Sequence, residues 1–91
     1  MVGKIAVSMA GHDKGKAYVI VREDAEYVYL CDGRWKLLEK AKKKKKKHIA
    51  LNKSFSTGEI EEKLRSCVKI YDHEIRSMIK QYEMKGKKAE V

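Results

Sequence analysis

Six lysines in unbroken succession, Lys42 to Lys47, constrain this chain more than any other feature. Like charges at such density repel one another, so the run is expected as a solvated, mobile loop and not as part of a core. Apolar segments border it on both sides, Trp35-Lys-Leu-Leu38 before it and His48-Ile-Ala-Leu51 after it. The run is therefore tethered at both ends and cannot drift off as a tail.

The rest of the charge follows the same division. Residues 1–33 hold four basic and five acidic side chains, residues 34–53 hold ten and one, and residues 54–91 hold eight and seven. The whole net charge of +9 thus sits in one twenty-residue stretch flanked by near-neutral segments. A field so concentrated acts on polyanions through counterion release, and the 43% hydrophobic content argues for a folded scaffold presenting it. With 91 residues there is material for one compact core plus an appendage.

Ile5, Val7 and Met9 alternate with Lys4, Ala6 and Ser8, the period of a half-buried strand. The segment Ala10-Gly-His-Asp-Lys-Gly-Lys16 breaks it into a loop, and Ala17–Glu23 and Tyr27–Cys31 follow as strands around the turn Asp24-Ala-Glu26. Asp32-Gly33 has the chemistry of a type I′ hairpin, which predicts a fourth strand over Trp35–Leu38. His48–Leu51 supplies a fifth. Five short strands with tight turns in about fifty residues favour a mainly β fold, a small closed barrel over residues 1–53, because closure removes exposed edges.

Residues 54–91 change character and are expected to form a helical extension packed on or beside the barrel. Ser56 or Thr57 can cap a helix, and Ser56 with Glu59 has the spacing of a capping box. Ile60, Leu64, Cys67 and Val68 share one helical face, and Ile75, Met78, Ile79 and Tyr82 repeat the pattern. The β-leaning Val68-Lys-Ile-Tyr71 and the N-cap candidate Asp72 predict two helices over one. Gly86 is expected to end the second, with residues 87–91 fraying.

The segment from Val2 to Val21 is a strand, a glycine-containing basic loop and a second strand, and it resembles the KOW motif. With Asp32-Gly33 after a hydrophobic strand and a basic run entering Lys47-His48-Ile49, residues 2–52 resemble the large-subunit ribosomal protein L-fourteen-e family and its bacterial KOW-domain relatives. The resemblance implies an SH3-like barrel that binds RNA, commonly in the ribosome.

The residues support an RNA site in their own right. Gly11 and Gly15 permit positive φ, so that loop amides and the side chains of His12, Lys14 and Lys16 can be brought against phosphate. Lys42, Lys43, Lys44, Lys45, Lys46, Lys47 and His48, projecting from the same rim, would extend that surface. Arg34 and Lys36 flank Trp35, which is expected in the core, stacking on an unpaired base being the alternative. Gly33 is placed as a turn residue.

Other chemistry is poorly supported. Cys31 and Cys67 lie 36 residues apart, outside any C-x-x-C pair, and both are expected as buried thiols. His12, His48 and His73 have only Asp13 and Asp72 alongside, a weak metal signal. No P-loop, G-x-S-x-G or G-x-G-x-x-G occurs, so neither an enzyme nor a cofactor, metal or small-molecule substrate is expected. Met1-Val-Gly-Lys lacks a signal-peptide h-region and no apolar run approaches the ~18 residues of a membrane span, so a cytoplasmic address is expected. The expected partners are RNA, ribosomal RNA above all, and ribosomal proteins. Two readings remain beside this one: a protein-interaction module using the Ile75, Met78, Ile79, Tyr82 face, and a nonspecific polyanion binder.

Overall fold

The computed structural model describes residues 1–89. Five strands, β1 (Ile5–Ser8), β2 (Ala17–Glu23), β3 (Tyr27–Cys31), β4 (Lys42–Lys45) and β5 (Ile49–Asn52), form one antiparallel sheet in the order β4-β3-β2-β1-β5. Two helices follow, α1 (Glu59–Arg65) and α2 (Asp72–Ala89). The fold is thus mainly β with a helical C-terminal part, and no described helix is long and apolar enough to cross a membrane.

Both sheet faces are covered near β1. Ile5, Ala17, Val19 and Cys31 meet Ile60, Ile70, Ile75 and Ile79 from the helical part. On the opposite face Ala6, Tyr18, Ile20, Val28 and Leu30 form a second cluster, joined by Ile49 and Leu51. Fully burying an isoleucine or leucine contributes about 1.5–3 kcal/mol, so each layer supplies a substantial part of the folding free energy. Strand β1 is consequently buried on two faces, not one, while Met9 lies beyond it and is exposed. A bulge at Val21 turns this residue toward the helices and puts Arg22 opposite Tyr29.

The fourth strand differs from expectation. Asp32 Oδ1 accepts the amides of Arg34, Trp35 and Lys36 at 2.8–2.9 Å, which commits that segment to a turn and leaves no ladder for Trp35–Leu38. Asp32-Gly33 is therefore not a two-residue hairpin. The edge of β3 is paired instead by the lysine run, with Tyr27↔Lys45, Val28↔Lys44, Tyr29↔Lys43 and Leu30↔Lys42 in register. The lysine run, expected as a mobile loop, has its first four residues in strand β4 and its last two in a 3-10 turn, the turn spanning Lys46–His48 and leading into β5. Closure is also incomplete: β4 and β5 are the two ends of the sheet and no ladder joins them.

Two helices are present, with altered ends. Ser56 Oγ accepts the Gly58 amide and the buried Thr57 hydroxyl donates to the Gly3 carbonyl at 2.6 Å, so neither caps α1 and the capping box is not made. Helix α1 stops at Arg65 in a Schellman arrangement, the Cys67 and Val68 amides reaching back to the Leu64 and Lys63 carbonyls. Cys67 takes φ +56° there and, like Val68, is exposed, so of the two thiols expected to be buried only Cys31 is. Tyr71 precedes α2, its amide accepted by Glu74 Oε2, while the Asp72 carboxylate serves the Leu38 amide instead of capping. Helix α2 passes through Gly86 to Ala89, since one glycine costs only about 1 kcal/mol among strong helix formers. Of the residues expected to fray, 90 and 91 lie outside the described part.

Candidate nucleic-acid interface

The glycine loop between β1 and β2 is closed by its own backbone. The amides of Lys14, Gly15 and Lys16 donate to the carbonyls of Gly11, Ser8 and Asp13 at 3.3, 2.8 and 2.9 Å. Gly11 turns the chain at φ +86°. The Gly15 amide is therefore engaged inside the loop and does not present itself to a phosphate, against expectation. What faces solvent is the set of side chains: His12, Lys14 and Lys16 are all exposed.

Beneath the loop sits a carboxylate. Asp13 is 6% exposed and accepts hydrogen bonds from Ser8 Oγ at 2.8 Å, Tyr18 Oη at 2.9 Å, Lys42 Nζ at 2.8 Å and Lys44 Nζ at 2.8 Å. Lys44 Nζ also donates to Ser8 Oγ and to the Ala10 carbonyl. Burial by itself would raise the Asp13 pKa, but the hydrogen bonds from Lys42, Lys44, Ser8 and Tyr18 outweigh it and hold the carboxyl well below the usual carboxylate range. The Tyr18 phenol is pushed upward by burial and by the same carboxylate.

This buried ion cluster explains how a lysine run becomes a strand. Alternation along β4 places Lys42 and Lys44 on the face of Leu30 and Val28, where a strand ordinarily carries apolar side chains. Their methylene stems can lie along that surface while both ammonium groups converge on one acidic residue. Lys43 and Lys45 point the other way, beside Tyr29 and Tyr27, with Lys43 Nζ 4.2 Å from the Tyr27 ring centre. Arg22 covers Tyr29 at the same distance. A lysine-bearing edge also discourages further strand pairing.

The expected site residues therefore divide. The glycine loop and the basic segment do meet: Lys42 and Lys44 reach Asp13, and the Met9 amide donates to the His48 carbonyl at 2.8 Å. Yet Lys42 and Lys44 are engaged inside the cluster, and Lys46 pairs with Glu23 at 3.0 Å. Among the described residues, Arg34, Lys36, Lys40, Lys43, Lys45, Lys47 and Lys53 have no carboxylate partner. Lys43, Lys45 and Lys47 are exposed, and Lys36 and His48 are half-buried.

Trp35 is 74% exposed, which overturns its placement in the core. The Asp32 carboxylate holds its backbone rigidly while leaving the indole in solvent. Gly33 fits this turn against α2, since a Cβ there would collide with the Asp72 carbonyl and lie 2.6 Å from the Arg76 amide. The turn, the glycine loop and α2 enclose an open groove of about 920 Å³, lined in part by Lys16, Arg34, Trp35, His73, Arg76 and Lys80.

Asp13 as a cluster centre, the outward Arg22, Tyr27 and Tyr29, and the α2 cations lie outside the site expected from the sequence. Tyr27 and Tyr29 were recognisable as a period-2 aromatic pair on a strand. Asp13 offered only its position as the one acid in a basic loop. No protein-family model and no curated protein matches the chain.

Proposed function

We propose that this chain is a cytoplasmic RNA-binding protein of the translation machinery that contacts ribosomal RNA through its glycine loop and lysine-rich segment. The observation that carries the reading is the set of seven cations within residues 34–53 that, among the described residues, have no carboxylate partner, carried by β4 and by the turns and 3-10 segments beside it. Among the described residues, acidic partners account for only Lys42, Lys44 and Lys46 in that segment, so the remaining charge is available to phosphates, whose neutralisation releases counterions and dominates affinity. Aromatic side chains interleave with those cations, which suits nucleic acid better than a membrane surface. The KOW resemblance of residues 2–52 points the same way.

The protein-interaction reading loses its surface. Ile75 and Ile79 are buried in the layer between helices and sheet, with Met78 and Tyr82 packed against it. Binding, not catalysis, is the role this arrangement suits. Sedimentation with ribosomal subunits tests it: the protein should travel with a subunit at about 0.1 M monovalent salt and leave it as salt is raised several-fold. A protein that stays at the top of the gradient and ignores extracted ribosomal RNA would refute the proposal.

A further inference from the structure

We infer that the groove between the glycine loop, the Asp32–Lys36 turn and α2 receives an unpaired nucleotide of single-stranded RNA, its base stacked on Trp35 and its flanking phosphates met by Lys16, Arg34, Arg76 and Lys80. This rests on the RNA-binding reading and adds to it a second kind of contact, made by the helical part. The only tryptophan of the chain is 74% exposed, although three amides bound to Asp32 Oδ1 hold its turn in place. An indole carried in solvent on so fixed a turn contributes little to packing and is open to stacking.

The groove has the volume and the charge for such a guest. At about 920 Å³ it lies within the range of small-ligand clefts. Four cations line it against two carboxylates, Asp32 and Glu83, and the Asp32 Oδ1 atom is already taken by backbone amides. Among the described residues none of the four cations has a carboxylate partner, and Arg76 is tied only to the Gly33 carbonyl, at 3.3 Å. Arg76 and Lys80 are one helical turn apart, so α2 adds two neighbouring cations to the lining that the groove shares with Trp35. A base inside a duplex is covered on both faces and cannot stack on Trp35, which makes the site selective for single strands.

Trp35 is its own reporter. Its emission should be quenched on titration with a short single-stranded oligoribonucleotide and left unchanged by the corresponding duplex. In parallel anisotropy measurements with labelled RNA, Trp35→Ala should weaken single-strand binding about 5- to 150-fold, the range of base–aromatic stacking, with duplex affinity unaltered. Lys80→Gln, an exposed change on α2, should weaken single-strand binding several-fold with a reduced salt dependence. Trp35→Phe should recover part of the loss. Single-strand binding that is unquenched and indifferent to both Trp35→Ala and Lys80→Gln would overturn the inference while leaving RNA binding intact. Equal quenching by duplex would overturn the unpaired base. Absence of binding to either RNA would remove the RNA-binding reading and this inference with it.

Discussion

Asp13→Asn separates the buried ion cluster from ordinary surface electrostatics. The substitution keeps the size of the side chain but withdraws the charge that faces two ammonium groups, and it places an amide where two acceptor oxygens stood. Losing one partner of a buried pair typically costs about 3–5 kcal/mol, because the remaining charge is left uncompensated. Two features of the site moderate this. The Lys42 side chain is 31% exposed and can turn to water, whereas that of Lys44, 10% exposed, keeps Ser8 Oγ and the Ala10 carbonyl. A loss of about 3 kcal/mol follows, a large share of the roughly 5–14 kcal/mol available to a domain of this size. At about 4–8 °C per kcal/mol the melting temperature should fall by at least about 12 °C. Urea titration followed by far-UV circular dichroism is the suitable assay, since the exposed Trp35 makes a poor reporter of unfolding. The pH dependence adds a second test. Because the folded state depresses the Asp13 pKa, its contribution is fully present above the unfolded carboxyl value of about 4 and fades as pH falls below it. The gap between wild type and variant should therefore be widest near neutrality and narrow in acid. A gap under about 0.5 kcal/mol at neutral pH, within the range of ordinary surface changes, would refute the cluster as the element that holds β4.

Gly33→Ala should destabilise by roughly 2–5 kcal/mol, combining left-handed backbone strain with a collision against the first turn of α2, whereas Gly15→Ala, with no atom near its Cβ, should lose only about 1–2 kcal/mol; denaturant midpoints compare the two. Cys67→Gly should raise stability by about 1 kcal/mol, since glycine suits the left-handed Schellman position that Cys67 occupies, and an unchanged or lower midpoint would contradict that geometry. Thiol labelling of the native protein should modify Cys67 rapidly and Cys31 only on unfolding, because burial, then Asp72 and Asp32, push the Cys31 pKa up to about 12.

Much of the fold was legible because periodicity and turn chemistry are local. Strands β2 and β3 coincide with their alternating β-branched and aromatic segments, and the break between the helices falls where Val68-Lys-Ile-Tyr71 interrupts the helical pattern. The fourth strand was illegible for a tertiary reason. Lysine disfavours both strand and core in isolation, and only the arrival of Asp13, about thirty residues earlier in the chain, makes Lys42 and Lys44 acceptable at inward positions. Trp35 was misplaced because its hydrophobicity outweighed Asp32, whose carboxylate turns the chain before the indole can reach the core. The basic character of the site was readable from composition, but which lysines are free depends on strand pleat, and that required the register of β4 on β3.

The central claim is that the outward lysines meet RNA phosphates while the inward ones hold the strand. It is tested most directly by measuring RNA affinity across a salt series for the triple variant Lys43→Gln, Lys45→Gln, Lys47→Gln against wild type. The variant should fold within about 1 kcal/mol of wild type, losing mainly the Lys43 contact with the Tyr27 ring. Its affinity should drop for every RNA sequence, and the slope of log affinity against log salt should shrink by up to about 0.7 for each phosphate contact removed. A folded triple variant with wild-type affinity and an unchanged salt slope would contradict the account.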